Sequence, residues 1–250
     1  MENLYFKDLE ELKLFLKGKE KLGEGAEGIC YKVNNNVLKV YKELIINHNI
    51  KIKTDFLQFK DLEIPHFNFI KNIAYIEKEK YLIGTISKYV KGNVLKFDTL
   101  YYEPIDKIIK LIENLLPSIK TLSKEGILVG DIFINNIIYN ENNLEFIDTA
   151  SYCYTYEDIY DLYIYNMKQI MSELMISILD NYYKGMIIEY LSKVNDKYNY
   201  KYNDELLLDP ISLLKGIKNS LEDYCNMEIN NFSDCETVLT KKIKSISLKK

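Results

Sequence analysis

The chain changes its hydrophobic period part-way along, and that change constrains the fold more than any other feature. Up to about residue 90 the apolar residues come in short β-like runs broken by turn signals. EKLGEGAEGICYKV and NVLKVYK are joined through Asn34, Asn35 and Asn36. FIKNIAYIEKEKYLIGTISKYV reads as two further strands around the charged turn from Glu77 to Lys80, and Gly92 follows as a break. One stretch departs from this pattern. IKIKTDFLQFKDL has helical spacing, with Ile52, Phe56 and Phe59 on one face, and Pro65 ends it.

Beyond that point helical spacing dominates. EPIDKIIKLIENLLPSIKTLSKEG is a long amphipathic segment, where Pro117 would allow a kink and Gly126 suits a C-terminal cap. The apolar runs NIIY and LEFI flank NENN and read as a hairpin. From about Glu157 the chain is helical again. DELLLDPISLLKGIKNSLEDY has a periodicity for which core packing is the default reading. A small β-rich part with one main helix, residues 1–90, followed by a larger helical part, residues 91–250, is the expected organisation.

Composition narrows the function classes. The chain is 47% hydrophobic and 28% charged, enough to bury a core. A net charge of −4 gives no electrostatic reason to bind nucleic acid, and no nucleic-acid partner is expected. The basic ending TKKIKSISLKK is read as a solvated helix or frayed tail. Cys30, Cys153, Cys225 and Cys235 form no CxxC pair and there are two His, which argues against a zinc site. They fit reduced thiols in a cytoplasmic protein. No signal peptide is visible, and no apolar run is long enough for a membrane span. All 33 basic residues are Lys. Bidentate guanidinium clamps are absent, so phosphate must be held by Lys, backbone N–H groups or metal.

Four features together point to phosphate chemistry. Gly23-x-Gly25-x-x-Gly28 lies between strand-like runs, where glycine lets backbone approach phosphate closely and permits positive φ. A dinucleotide-binding reading requires a helix to follow, and ICYKV reads as strand. Lys39 sits mid-strand between apolar neighbours. Asp131 and Asn136 are separated by four residues in GDIFINN, and Asp148 follows in LEFIDTAS. Each feature alone is weak: the glycines suit a hairpin, the lysine an exposed strand face, the acids a turn.

In this order the features resemble the protein-kinase-like superfamily. The resemblance covers roughly residues 19–165 and is strongest from Ser123 to Asp148. It implies an α+β, bilobal protein-kinase-like fold, with a β-rich N-lobe holding one main helix and a larger α-helical C-lobe. It also implies Mg·ATP as ligand in the cleft between lobes. Gly23, Gly25 and Gly28 would cover the phosphates, and Lys39 would hold them. Asp131 would orient the attacking hydroxyl and accept its proton. Asn136 and Asp148 would bind Mg2+. Cys30 and Val37 would roof the adenine, Ile138 would floor it, and backbone groups around Lys88 to Val90 would bond its edge. Asp158 resembles the acid that opens the buried central helix of the large lobe.

The departures bear on activity. The partner of Lys39, normally a helical Glu, falls on Asp55 by ungapped counting, with Glu43 as fallback. Val129 and Gly130 replace the usual His-Arg before the catalytic Asp, and Gly130-Asp131 resembles the GD of small-molecule phosphotransferases and atypical bacterial kinases. Phe133 stands where a protein kinase carries Lys. Asp148-Thr149-Ala150 replaces Asp-Phe-Gly, and nine residues to Asp158 leave no room for an activation segment. Tyr152, Tyr154 and Tyr156 are read as packing groups. The groups that chemistry needs are present, and those lost serve structure, regulation or protein-substrate handling. Two readings stand: an atypical kinase acting on a protein or small-molecule hydroxyl, which is favoured, and an inactive nucleotide-binding pseudokinase or scaffold.

Overall fold

A computed structural model describes residues 2–46, 56–179, 207–238 and 241 of the chain. It is a mixed α/β structure, with the sheet in the N-terminal region and helices later. Two compact units divide it: residues Met1–Gly92 with Glu145–Cys153, and Asn93–Leu144 with Tyr154–Lys250. Among the described residues no helix is long and apolar enough to cross a membrane.

The first unit is built on a six-stranded sheet. Its strands are β1 (Leu4–Phe6), β2 (Lys21–Glu24), β3 (Gly28–Val33), β4 (Asn36–Ile46), β5 (Asn72–Ile76) and β6 (Tyr81–Lys88), in the order β1-β5-β6-β4-β3-β2. Asn34 turns β3 into β4 with φ 56°, a conformation Asn tolerates, and Val33 then pairs with Asn36. Side chains alternate across β4. Leu38 is fully buried and packs with Phe6, Leu12, Val33, Ala74, Ile83 and Ile86, whereas Lys39 points to the other face.

Helix α1 (Leu9–Leu16) was not expected, since residues before 20 carry no long periodic run. Its signals are nonetheless local. The Asp8 carboxylate accepts the Glu11 N–H at 2.9 Å, and Gly18 ends the segment at φ 79°. Leu12 then seats α1 on the sheet, with Phe15 and Leu16 packed beside it. The first part of the expected helix over IKIKTDFLQFKDL, Ile52 included, lies outside the described residues; in the rest, Phe56 and Leu57 are helical and turns follow. Phe59, at its end, is buried at 3% exposure and meets Phe69.

The chain re-enters the first unit at Glu145. Phe146 stacks on Phe67 with centroids 5.1 Å apart, and Tyr152 meets Phe67 and Phe69 edge-on. Tyr152 is therefore the packing group expected of it. Tyr154 and Tyr156 are instead exposed.

In the second unit, β7 (Asn93–Val94) pairs with β9 (Ile137–Asn140), and the α-helices among the described residues are α2 (Ile105–Lys124), α3 (Ile159–Leu179) and α4 (Pro210–Cys225). The two-residue β8 (Ile127–Leu128) follows α2, and β9 turns into β10 (Asn143–Phe146) at Glu141 and Asn142. Helix α2 buries Ile105, Ile108, Ile112, Leu115, Ile119 and Leu122 on one stripe and runs unbroken through Pro117. Gly126 takes φ 71° just past its end, as a cap requires. Helix α4 starts with Pro210 after the Asp209 cap and buries Leu213, Leu214, Ile217 and Leu221, the core role expected. Of the basic ending, only Lys241 lies among the described residues.

Two glycines fix how closely the strands beside β4 approach it. A Cβ on Gly28 would lie 2.4 Å from the Val40 oxygen, and one on Gly84 would lie 2.3 Å from the Lys39 oxygen. A Cβ on Gly25 would meet nothing within 4 Å. We expect Gly84→Ala to lower stability by about 1–3 kcal/mol through backbone displacement. Gly25→Ala should stay within about 0.5 kcal/mol of the wild type. Urea unfolding of the three proteins measures the difference.

Candidate active site

The candidate residues divide between the units. Gly23, Gly25, Gly28, Cys30, Val37, Lys39, Glu43, Lys88, Val90 and Asp148 belong to the first, and Asp131, Asn136 and Ile138 to the second.

In the first unit the centre is Lys39. Its side chain is 15% exposed, and its Nζ donates to both Asp148 oxygens, at 2.8 and 2.9 Å, and to Glu27 Oε2 at 2.7 Å. Burial alone would lower the Lys39 pKa. Hydrogen bonds to Asp148 and then Glu27 outweigh it, so the net shift is upward and the amine stays charged. Asp55, the expected partner, lies outside the described residues. The fallback, Glu43, is exposed on β4. Among the described residues, the acids on Lys39 are thus Glu27, from the turn between β2 and β3, and Asp148, from 109 residues downstream.

Asp148 occupies the left-handed region, at φ 60° and ψ 50°, and opens the short 3-10 turn Thr149–Ser151. The Thr149 hydroxyl donates to the Asn68 carbonyl, and Thr149 is 4% exposed. That anchor holds the backbone from which Asp148 reaches Lys39.

The face carrying Lys39 is completed by neighbouring strands. Cys30 and Thr85 are its direct cross-strand partners, and such pairs share a face. Burial pushes the Cys30 thiol upward in pKa, so it is a packing group rather than a reactive thiolate. Val37 lies two residues before Lys39 on the same face, half-buried. At the strand end the Lys88 carbonyl accepts Asn68 Nδ2 at 2.8 Å, and the Tyr89 N–H donates to the Asn35 carbonyl at 2.9 Å.

The glycine segment is a tight antiparallel connection. The Gly25 N–H donates to the Gly28 carbonyl at 2.9 Å. Positive φ, the freedom expected of these glycines, is taken by none of the three. Gly28 serves the close approach of β4 instead, while Gly23 and Gly25 leave open space where a side chain would sit.

In the second unit, Asp131 lies in an irregular loop between β8 and the 3-10 turn Ile134–Asn136. Its backbone has φ 46°, a strained conformation for a residue with a Cβ, whereas the neighbouring Gly130, which could adopt it freely, is not left-handed. Asp131 is exposed, Asn136 half-buried and Ile138 buried.

What fixes this loop is a polar stripe on α3 that the sequence reading passed over. Asn166 is fully buried. Its Oδ1 accepts the Val129 N–H at 3.0 Å, and its Nδ2 donates to the Ile127 carbonyl at 2.9 Å and the Ser123 hydroxyl at 3.1 Å. Glu173 Oε2 accepts the Ile134 N–H at 3.1 Å, so Asp131 hangs between two anchored points. Ser177, on the same stripe, donates to the Lys96 carbonyl and accepts the Leu100 N–H. Asp158 contributes only a helix start: it is exposed, and its Oδ1 accepts the Tyr160 N–H. The signal is readable as polar residues at i, i+7 and i+11, which share one face of the helix.

Among the described residues, no group of three or more His, Cys, Asp or Glu could hold a metal ion. Asp148, in the first unit, carries one carboxylate and Asn136, in the second, one amide oxygen, the ligand types that Mg2+ takes together with phosphates and water.

No family model matches the chain, and no curated protein matches it. Solved structures that it is similar to include a twitchin kinase fragment from C. elegans, described as an autoregulated protein kinase with immunoglobulin domains. The TM-score is 0.45 and the identity 16%, over 56% of this chain. The chain spans about a third of that structure, 34% of its length. The likeness is slight.

Asn166→Ala would strand the buried Val129 N–H and Ile127 carbonyl. We expect a loss of about 2–4 kcal/mol in urea unfolding, against about 1 kcal/mol or less for Asp158→Ala at its exposed cap.

Proposed function

We propose that the chain is an atypical ATP-dependent phosphotransferase, moving the γ-phosphate of Mg·ATP to a hydroxyl of a protein or small molecule. The observation that carries this reading is the ion pair between Lys39 and Asp148. The strand lysine and the later acid that sequence order assigns to phosphate and metal lie in contact although 109 residues separate them. Packing alone gives no reason for a nearly buried lysine and an acid on left-handed backbone to meet.

In this reading Lys39 turns to the phosphates when nucleotide binds, and Asp148 to the metal. Asn136 is the second metal ligand. The bare backbone at Gly23 and Gly25 leaves room for phosphate. Cys30, Val37 and Ile138 supply apolar contact for adenine, and the backbone near Lys88 and Val90 its edge. Asp131 orients the acceptor hydroxyl and takes its proton. Phosphoryl transfer asks little more of a side chain than position, which the anchored loop around Asp131 supplies. A recess of about 800 Å3 beside that loop is lined by Phe97, Phe133, Ile134 and Asn135 among others. It would receive the acceptor, with an aromatic ring where a protein kinase has a cation.

Asp131→Asn should cut turnover by at least about a hundredfold while Mg·ATP affinity stays near wild type. Calorimetry and single-turnover assays on the same preparations give both quantities. Equal inactivity of wild type and variant toward protein and small-molecule acceptors, with nucleotide still bound, would establish the scaffold reading instead.

A further inference from the structure

Glu27 has no part in the chemistry above, yet it holds the amine that chemistry needs. It is the last residue of the turn between β2 and β3. Its carbonyl accepts the Lys42 N–H at 2.8 Å, which ties its backbone to β4. From there its carboxylate reaches Lys39 Nζ at 2.7 Å. An ammonium has three N–H donors. Here two contacts go to Asp148 and one to Glu27, so none is left for a phosphate oxygen.

The two acids are held unequally. Asp148 is 33% exposed and rests on backbone anchored through Thr149. The Glu27 side chain is 69% exposed, at the tip of a hairpin on the sheet's edge. An ion pair with so exposed a partner contributes little, so it yields readily. A carboxylate beside an entering polyphosphate is also repelled by it. Only the side chain must move, since the Glu27 backbone bond is independent of it.

Resting on the nucleotide reading of Lys39, we propose that Glu27 is a displaceable gate. It occupies the Lys39 amine in the nucleotide-free chain and swings out when a polyphosphate enters. It therefore sets the affinity for phosphate-bearing ligands and leaves the nucleoside part untouched. Glu27 is a positioning residue, not a catalytic one.

The test titrates wild type, Glu27→Gln and Glu27→Ala by calorimetry with Mg·ATP, sodium tripolyphosphate and adenosine, and assays phosphoryl transfer by the same proteins. Removing the charge should tighten Mg·ATP and tripolyphosphate by about twofold to fivefold and leave adenosine unchanged. Unchanged affinity for both phosphates overturns the gate. Weakened affinity also overturns it, by making Glu27 a partner that Lys39 keeps in the bound state. Tighter phosphate binding with no transfer by any of the three proteins removes the phosphotransferase reading and leaves the gate standing. Transfer by wild type with equal affinities in all three removes the gate alone. If no protein binds either phosphate, both fall.

Discussion

A charged amine almost out of water has to be answered by negative charge, and much of the first unit is arranged to answer Lys39. The demand is physical: an isolated buried ammonium is too costly to keep, and the usual escape is to lose the proton. Here two carboxylates remove that option. One comes from the hairpin that precedes β4 in the chain, the other from a segment that returns after an excursion of more than fifty residues. Satisfying one charge thus ties together three stretches that are remote in sequence. The close packing of strands around β4, permitted by Gly28 and Gly84, holds the amine in register.

The second unit solves a different problem. Asp131 sits on backbone that its own side chain disfavours, and strain of this kind persists only where the surroundings impose it. Helix α3 imposes it by side-chain hydrogen bonds rather than by packing. Asn166 and Glu173 grip the main chain on either side of Asp131, and Ser177 grips a third segment further along. Buried polar groups fully satisfied in this way rigidify a loop, whereas apolar contacts would let it slide.

Much of this was legible in the residues, and the misses have physical causes. Turn chemistry located the Asn34 and Glu77 turns, Gly126 marked a helix end, and the change of period divided sheet from helices. Helix α1 escaped because two turns give too short a periodic signal, although Asp8 and Gly18 bracketed it. Glu27 escaped because an acid in a glycine-rich turn has a sufficient explanation as a turn residue; only the fold brings it to Lys39. Asn166 escaped because a neutral amide on the buried face of a helix reads as an imperfection of the apolar stripe. Asp131 is legible as a site residue, but propensity alone would place the left-handed turn on the adjacent Gly130. Tertiary hydrogen bonds can hold a residue where its propensity would not place it.

The interrupted course of the first unit has a consequence for how the protein comes into being. Its first 92 residues contain the whole six-stranded sheet, yet Phe67 and Phe69 await Phe146 and Tyr152, and Lys39 awaits Asp148. On a ribosome adding about 5–20 residues per second, the sheet therefore waits several seconds with an aromatic face open and an ammonium half-answered. The intervening chain must be made, and its hairpin at Glu141 turned, before the last pieces arrive. The usual economy of N-terminal-first folding is denied to this sheet. It is begun before the second unit and closed after most of that unit's strands are made, and in the interval it presents an aromatic surface of the kind that chaperones cover.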